Sequence, residues 1–177
     1  ASSFDRAADV MASKSQSYVG IPKEEENKEN NGPISLKWER LVAHGYFTLK
    51  NLAVEGEEDI QTITLTANAS ADMVGTHYLY LDTYNVVKPN SNAAPNSITI
   101  DARNLSIDSE GNVTFWACFL PCTWSSISVS VETDKATYTL ERDLVALNKT
   151  KTFVKNARNV LAINMKEANR AVKNVSS

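Results

Sequence analysis

Two histidines, His44 and His77, and two cysteines, Cys118 and Cys122, are the only imidazole and thiol groups in the 177 residues. Each histidine falls inside a run that reads as strand, and no Cys-x-x-Cys, His-x-x-x-His or Gly-rich phosphate loop accompanies them. A transition-metal or nucleotide site therefore lacks its usual donor spacing. Nothing resembles a nucleophile elbow, so no Ser-His-Asp set can be assembled from motifs. The chain reads as a non-enzyme with no cofactor, no metal site and no catalytic residues. Its ligand-binding residues stay unassigned.

Three weaker features remain. Asp108-Ser109-Glu110-Gly111-Asn112 offers oxygen ligands at spacing like part of a calcium loop, but the rest of that motif is absent and a hairpin turn is the simpler reading. Trp124, beside Pro121 and among serines, has two readings: an exposed platform for a sugar ring, or a cap on the end of a core. Cys118 and Cys122 would lie ~13 Å apart in an extended segment, at ~3.3 Å per residue, so two free thiols are expected, with Cys118 packed as a small hydrophobe. Five Asn-x-Ser/Thr sites, at Asn68, Asn104, Asn112, Asn148 and Asn174, arise readily in a chain rich in Ser, Thr and Asn.

Bulk properties narrow the partners. At this length, folding hides roughly 70% of the unfolded surface, enough for a core without cross-links. No run of eighteen apolar residues occurs and the opening A-S-S-F-D-R lacks the regions of a signal peptide, so no membrane insertion is expected. The net charge of −3 is unevenly placed: from Leu144 to Ser177, seven Lys and Arg face one acid, Glu167, giving +6 there and −9 elsewhere. Lysines decorating an edge strand explain this, as would a head-to-tail contact with an acidic neighbour. The acidic balance, with basic positions lacking interleaved aromatics, argues against nucleic acid.

Antiparallel strands must position whatever site exists. Ile127, Val129 and Val131 alternate with Ser128, Ser130 and Glu132, and a return run passes through Tyr138 and Leu140, which predicts a hairpin. Val113–Leu120 reads as a central strand, apolar on both faces. Ile60–Ala67 puts Ile63, Leu65 and Ala67 inward with threonines outward. Gly75–Thr83, Ile98–Ala102, Leu105–Ile107 and Thr152–Met165 complete the set. A parity switch between Leu36/Trp38 and Leu41/Ala43/Phe47/Leu49 calls for a bend at Gly45 or at Glu39-Arg40. Prolines and asparagines make a loop between Asn85 and Asn96.

The predicted fold is all-β: a two-layer antiparallel β-sandwich of seven or eight strands, transthyretin-like or Greek-key, with a short helix over Ser2–Ala12. Residues 1–33 form an N-terminal segment with an acidic linker, 34–165 the sandwich and 166–177 a polar basic tail, read as a weak helix or a disordered end.

The order of these segments resembles the fimbrillin-type (type V) pilus subunits of Bacteroides-type bacteria. The resemblance rests on L-K-W-E-R-L-V-A-H-G-Y-F-T-L-K-N-L from Leu36, I-T-L-T-A from Ile63, the Val74-Gly75-Thr76 step, the strand ending in Leu120-Pro121, the hairpin and the closing V-L-A-I-N-M. It spans Leu36 to Met165 and covers the second of the two sandwich domains usual in such subunits, so the chain is expected to be a C-terminal half, with Asp9–Ser13 resembling the domain junction. Where the family often has a glycine before the last strand, this chain has Asn156-Ala157-Arg158. The resemblance implies an extracellular, cell-surface fimbrial or adhesion subunit, as stalk, tip or outer-membrane anchor. Its partners would be other fimbrial subunits, joined by strand addition, and receptors on host or bacterial surfaces. A stand-alone carbohydrate- or protein-binding sandwich is the alternative. The tail makes a poor donor strand, because Lys166, Glu167, Arg170 and Lys173 interrupt any alternating apolar set.

Overall fold

The computed structural model describes residues 11–13, 38–52, 58–75, 77–80, 85–87 and 96–173. Thirteen strands are present among them: β1 (Met11–Ser13), β2 (Trp38–Arg40), β3 (Ala43–Lys50), β4 (Ile60–Ala69), β5 (Tyr78–Tyr80), β6 (Asn85–Val87), β7 (Ser97–Asp101), β8 (Val113–Phe119), β9 (Cys122–Thr133), β10 (Ala136–Asp143), β11 (Lys151–Phe153), β12 (Arg158–Asn164) and β13 (Asn169–Val172). A large sheet runs β13-β10-β9-β4-β7, with β11 also on β9, and a small sheet runs β12-β3-β8. The fold is an all-β sandwich of these two layers, of six and three strands. β1-β2 and β5-β6 form separate two-stranded ribbons.

Alternation writes the core. Ile127, Val129 and Val131 of β9 are buried opposite Leu140 and Tyr138 of β10 and Ile63 and Leu65 of β4. From the small sheet come Phe47 and Leu49 of β3 and Val113, Phe115 and Phe119 of β8. Five rings meet at the centre: Phe47 stacks on Phe115 (5.4 Å between centroids) and on Trp124 (5.7 Å), while Trp124 lies 4.5 Å from Phe153 and 5.4 Å from Phe119. Such offset and tilted arrangements add to the area they bury.

Several expectations are corrected. Met11–Ser13 is a strand paired with Trp38–Arg40, so at Met11 and Ala12 cross-strand hydrogen bonding overrides helical spacing; Ser2–Val10 and the acidic linker lie outside the described residues. Val113–Phe119 is not central and has one buried face, its other face carrying half-buried Trp116 and Cys118. Within the Gly75–Thr83 run only Tyr78–Tyr80 is a described strand, and Asn85–Val87, assigned to a loop, pairs with it. Leu105–Ile107 is not extended pairing but follows a turn in which Leu105 N–H donates to the Ala102 carbonyl.

Two further differences concern the chain's end. The long Thr152–Met165 strand is two strands in different layers, separated by Asn156 in a left-handed conformation (φ 59°). The second of them, β12, pairs with β3 in parallel, the one departure from antiparallel order among the described strands. The tail includes a strand, β13, whose Asn169–Val172 pairs with β10 and whose side chains are mostly exposed.

Candidate functional site

The two histidines and Cys122 do not converge, although Cys118 is the direct cross-strand partner of His44 and lines the same hollow as His77. His44 projects from β3 on the outer face of the small sheet, while His77 precedes β5 and shares a hydrogen bond between its Nδ1 and the Gly75 carbonyl (3.0 Å). They line different depressions. Both cysteines are free thiols, but it is Cys122 that is buried and Cys118 that is half-buried, the reverse of the expected emphasis. The chain crosses from the small to the large sheet between Phe119 and Cys122, which turns Cys122 inward. Burial pushes the Cys122 thiol up, with its contact to Trp124 offsetting this in part, so it behaves as an inert hydrophobe.

Trp124 is fully buried and caps nothing open to solvent, so its reading as a sugar platform is corrected. Its partner Phe153, delivered by β11, seals it. In the 108–112 loop the Asp108 carboxylate serves its own backbone. Oδ1 accepts from the N–H groups of Glu110 (2.9 Å) and Asn112 (2.8 Å), and Oδ2 from Asn112 Nδ2 (3.0 Å). Those bonds, the Asn112 N–H foremost, hold its pKa below the usual carboxylate range. Gly111 takes φ 75° and its carbonyl accepts from Leu52 N–H, so the loop is a turn tied to β3's end.

What the sequence did not announce is the state of the small sheet's edges. Among the described residues, β12 has one side unpaired. After Arg158 at its start, the Val160–Ile163 stretch of β12 contains no charged residue and no proline. Natural edges are ordinarily blunted by such residues. Beneath the free side of β12 runs a groove of about 210 Å3, floored by Ile127, Leu144, Leu161 and Ile163, and rimmed by Leu147, Arg142 and Lys149. Leu147 is half exposed there. At the end of β8 a second, more apolar hollow of about 350 Å3 is lined by Leu41, Val42, Met73, Leu79, Phe119 and Leu120.

A second feature is the outer face of the small sheet. Tyr46 of β3 and Trp116 of β8 are direct cross-strand neighbours, with ring centroids 4.9 Å apart. Arg158 of β12 lays its guanidinium over both, 4.6 Å from the Tyr46 centroid and 5.5 Å from that of Trp116. This spans all three strands. Comparison of the chain with protein-family models and with curated proteins found no match.

Proposed function

We propose that the protein is a cell-surface fimbrial or adhesion subunit that assembles by accepting a β-strand from a neighbour. The observation that carries this reading is the free edge of β12, uncharged over Val160–Ile163, above an apolar groove. Strand addition needs two things: a row of unpaired backbone N–H and C=O groups, and pockets at alternate positions for the incoming side chains. β12 offers the first, and inward-facing Leu161 and Ile163, two residues apart, flank the second. Lys149 at the rim favours an incoming strand that carries acidic residues beside its apolar ones, Arg142 being already paired with Glu167. The resemblance of Leu36–Met165 to fimbrillin-type subunits supports the same assignment, and with it an extracellular location.

Shearing surface structures from the parent cells and probing for this chain tests the reading. Denaturant-resistant oligomers are expected, and purified Ala162→Lys protein, with a charge set on the β12 edge, should fold but fail to enter them. A surface fraction containing the chain only as monomer would overturn the proposal. A stand-alone binding module is the second reading, favoured by the Tyr46–Trp116–Arg158 face.

A further inference from the structure

We infer that the outer face of the small sheet binds a carboxylate-bearing sugar ring, through Arg158, Asn156 and Trp116. A depression of about 280 Å3 lies there, lined by Arg40, His44, Trp116, Asn156, Ala157 and Arg158. This is just under the low end of the roughly 300–1,000 Å3 of small-ligand sites, a size for one ring rather than a long chain.

Its donors are already oriented and still available. The Arg158 guanidinium is held over Tyr46 and Trp116, yet among the described residues Arg158 makes no hydrogen bond and no ion pair. A guanidinium held by its face keeps its in-plane N–H groups for a bidentate carboxylate. Asn156 sits in a left-handed turn and its Oδ1 accepts from Arg40 N–H at 3.2 Å, which holds the amide in place and leaves Nδ2 as a second donor. The nearby Glu39 is neutralised by Lys155 at 2.8 Å, so it does not cancel the positive charge of Arg158.

A sugar fits this face better than a peptide. β3 is hydrogen-bonded on both sides, to β12 and to β8, so its backbone has nothing to offer an extended chain lying across it. Recognition here must come from side chains. The half-buried Trp116 ring supplies apolar surface for the C–H face of a sugar, and Arg158 the charge for its carboxylate. This inference is independent of strand acceptance at β12, because the groove lies on the inner side of that strand and this depression on the outer.

The test is a nuclear-magnetic-resonance titration of the 15N-labelled protein with methyl β-D-glucuronide, methyl β-D-glucoside and a blocked tri-glutamate peptide. Shifts confined to the Trp116 indole and the Asn156–Arg158 amides are expected with the glucuronide, with the neutral glycoside at least about tenfold weaker. Arg158→Gln should abolish that preference while leaving the remaining amide spectrum unchanged, and Ala162→Lys should leave it intact. Equal binding of the two glycosides, no shift with either, or binding of the peptide alone would each overturn the inference.

Discussion

Arg170 of β13 donates from Nη2 to Oε1 of Glu58, a carboxylate whose side chain is 1% exposed. Glu58 Oε2 accepts in addition from Thr133 Oγ1 (2.7 Å) and from Tyr138 OH (3.3 Å), and Arg170 Nε donates to the same tyrosine oxygen at 3.0 Å. The edge strand β13 buries little apolar surface, so beyond its backbone ladder with β10 this polar cluster helps to fasten it. Desolvation pushes the Glu58 pKa up, but the Arg170 and Thr133 hydrogen bonds and the Arg170 charge together outweigh it, and the carboxyl titrates below its ordinary value.

Replacing Arg170 by Ala leaves that carboxylate buried without its cation. A loss of about 3 kcal/mol in urea unfolding is expected, toward the low end for breaking a buried pair because Arg170 itself is a quarter exposed. With desolvation now unopposed by the guanidinium, the Glu58 carboxyl should titrate above its value in the wild-type fold. Carboxyl 13C shifts followed against pH check this, and a Glu58 titration unmoved by the substitution would refute the assignment.

The same linkage fixes a pH dependence. A carboxyl whose folded pKa is depressed contributes stability that is fully present above its unfolded pKa and is lost as pH falls through the folded value. Glu58 and Asp108 are lowered, and Asp101, clamped by the Arg103 guanidinium, is lowered from 3.8 to about 2. Stability should hold from pH 7 to about 4.5 and then decline steadily toward pH 2. Denaturation midpoints across that range, for wild type and Glu58→Gln, should show a shallower decline in the variant.

Asn159 is a buried amide at the crossover from β11 to β12. Its Oδ1 accepts from Val154 N–H (3.0 Å), and Nδ2 donates to the carbonyls of Val154 (2.9 Å), Ala157 (3.2 Å) and His44 (3.2 Å). Asn159→Ala strips all of these at once and strands a partly buried N–H, for an expected cost of about 2–3 kcal/mol. Calorimetric melting reads this; a change within about 0.5 kcal/mol, as for a surface site, would contradict it.

Gly45 faces the ring cluster. A Cβ there would stand 2.5 Å from Phe47 Cε2 and 3.1 Å from Phe119 Cε1, and Phe47 is fully enclosed by other rings, so it cannot swing aside. Gly45→Ala should cost ~1–3 kcal/mol through overpacking, measured as a lower urea midpoint at unchanged slope.

The two inner-versus-outer tryptophans give a paired comparison. Trp124→Ala empties the centre of the aromatic cluster and should cost ~3–5 kcal/mol, whereas Trp116→Ala, on the outer face, should cost well under half of that. Equal losses in chemical denaturation would mean the two rings are not divided between core and face as described.

Strands whose one face is buried were legible because alternation is a local signal. β4, β9 and β10 bury the side chains their parity predicts, Ile63, Leu65, Val129, Val131 and Leu140 among them. β13 was not legible: its side chains are exposed, so no alternating pattern is imprinted, and the Glu58–Arg170 contact that holds it joins residues 112 apart in sequence. The break at Asn156 was missed because a left-handed asparagine leaves no mark beyond its identity. Glycine signals either freedom or space: the parity switch calls for a bend at Gly45 or at Glu39-Arg40, whereas Gly45 provides space and the interruption falls at Leu41-Val42, beside the second of these positions. The Tyr46–Trp116–Arg158 face stayed hidden because it requires the register of β8 and β12 on β3, and parallel pairing cannot be read from spacing.

β8 lies in sequence between β7 and β9, and β12 between β11 and β13, so both outer strands of the small layer are tethered at each end to the large one. The two layers are thus laced by covalent chain as well as glued by aromatic rings. A pull on one is passed to the other through the chain, and the sandwich should resist sliding and give way as a single unit.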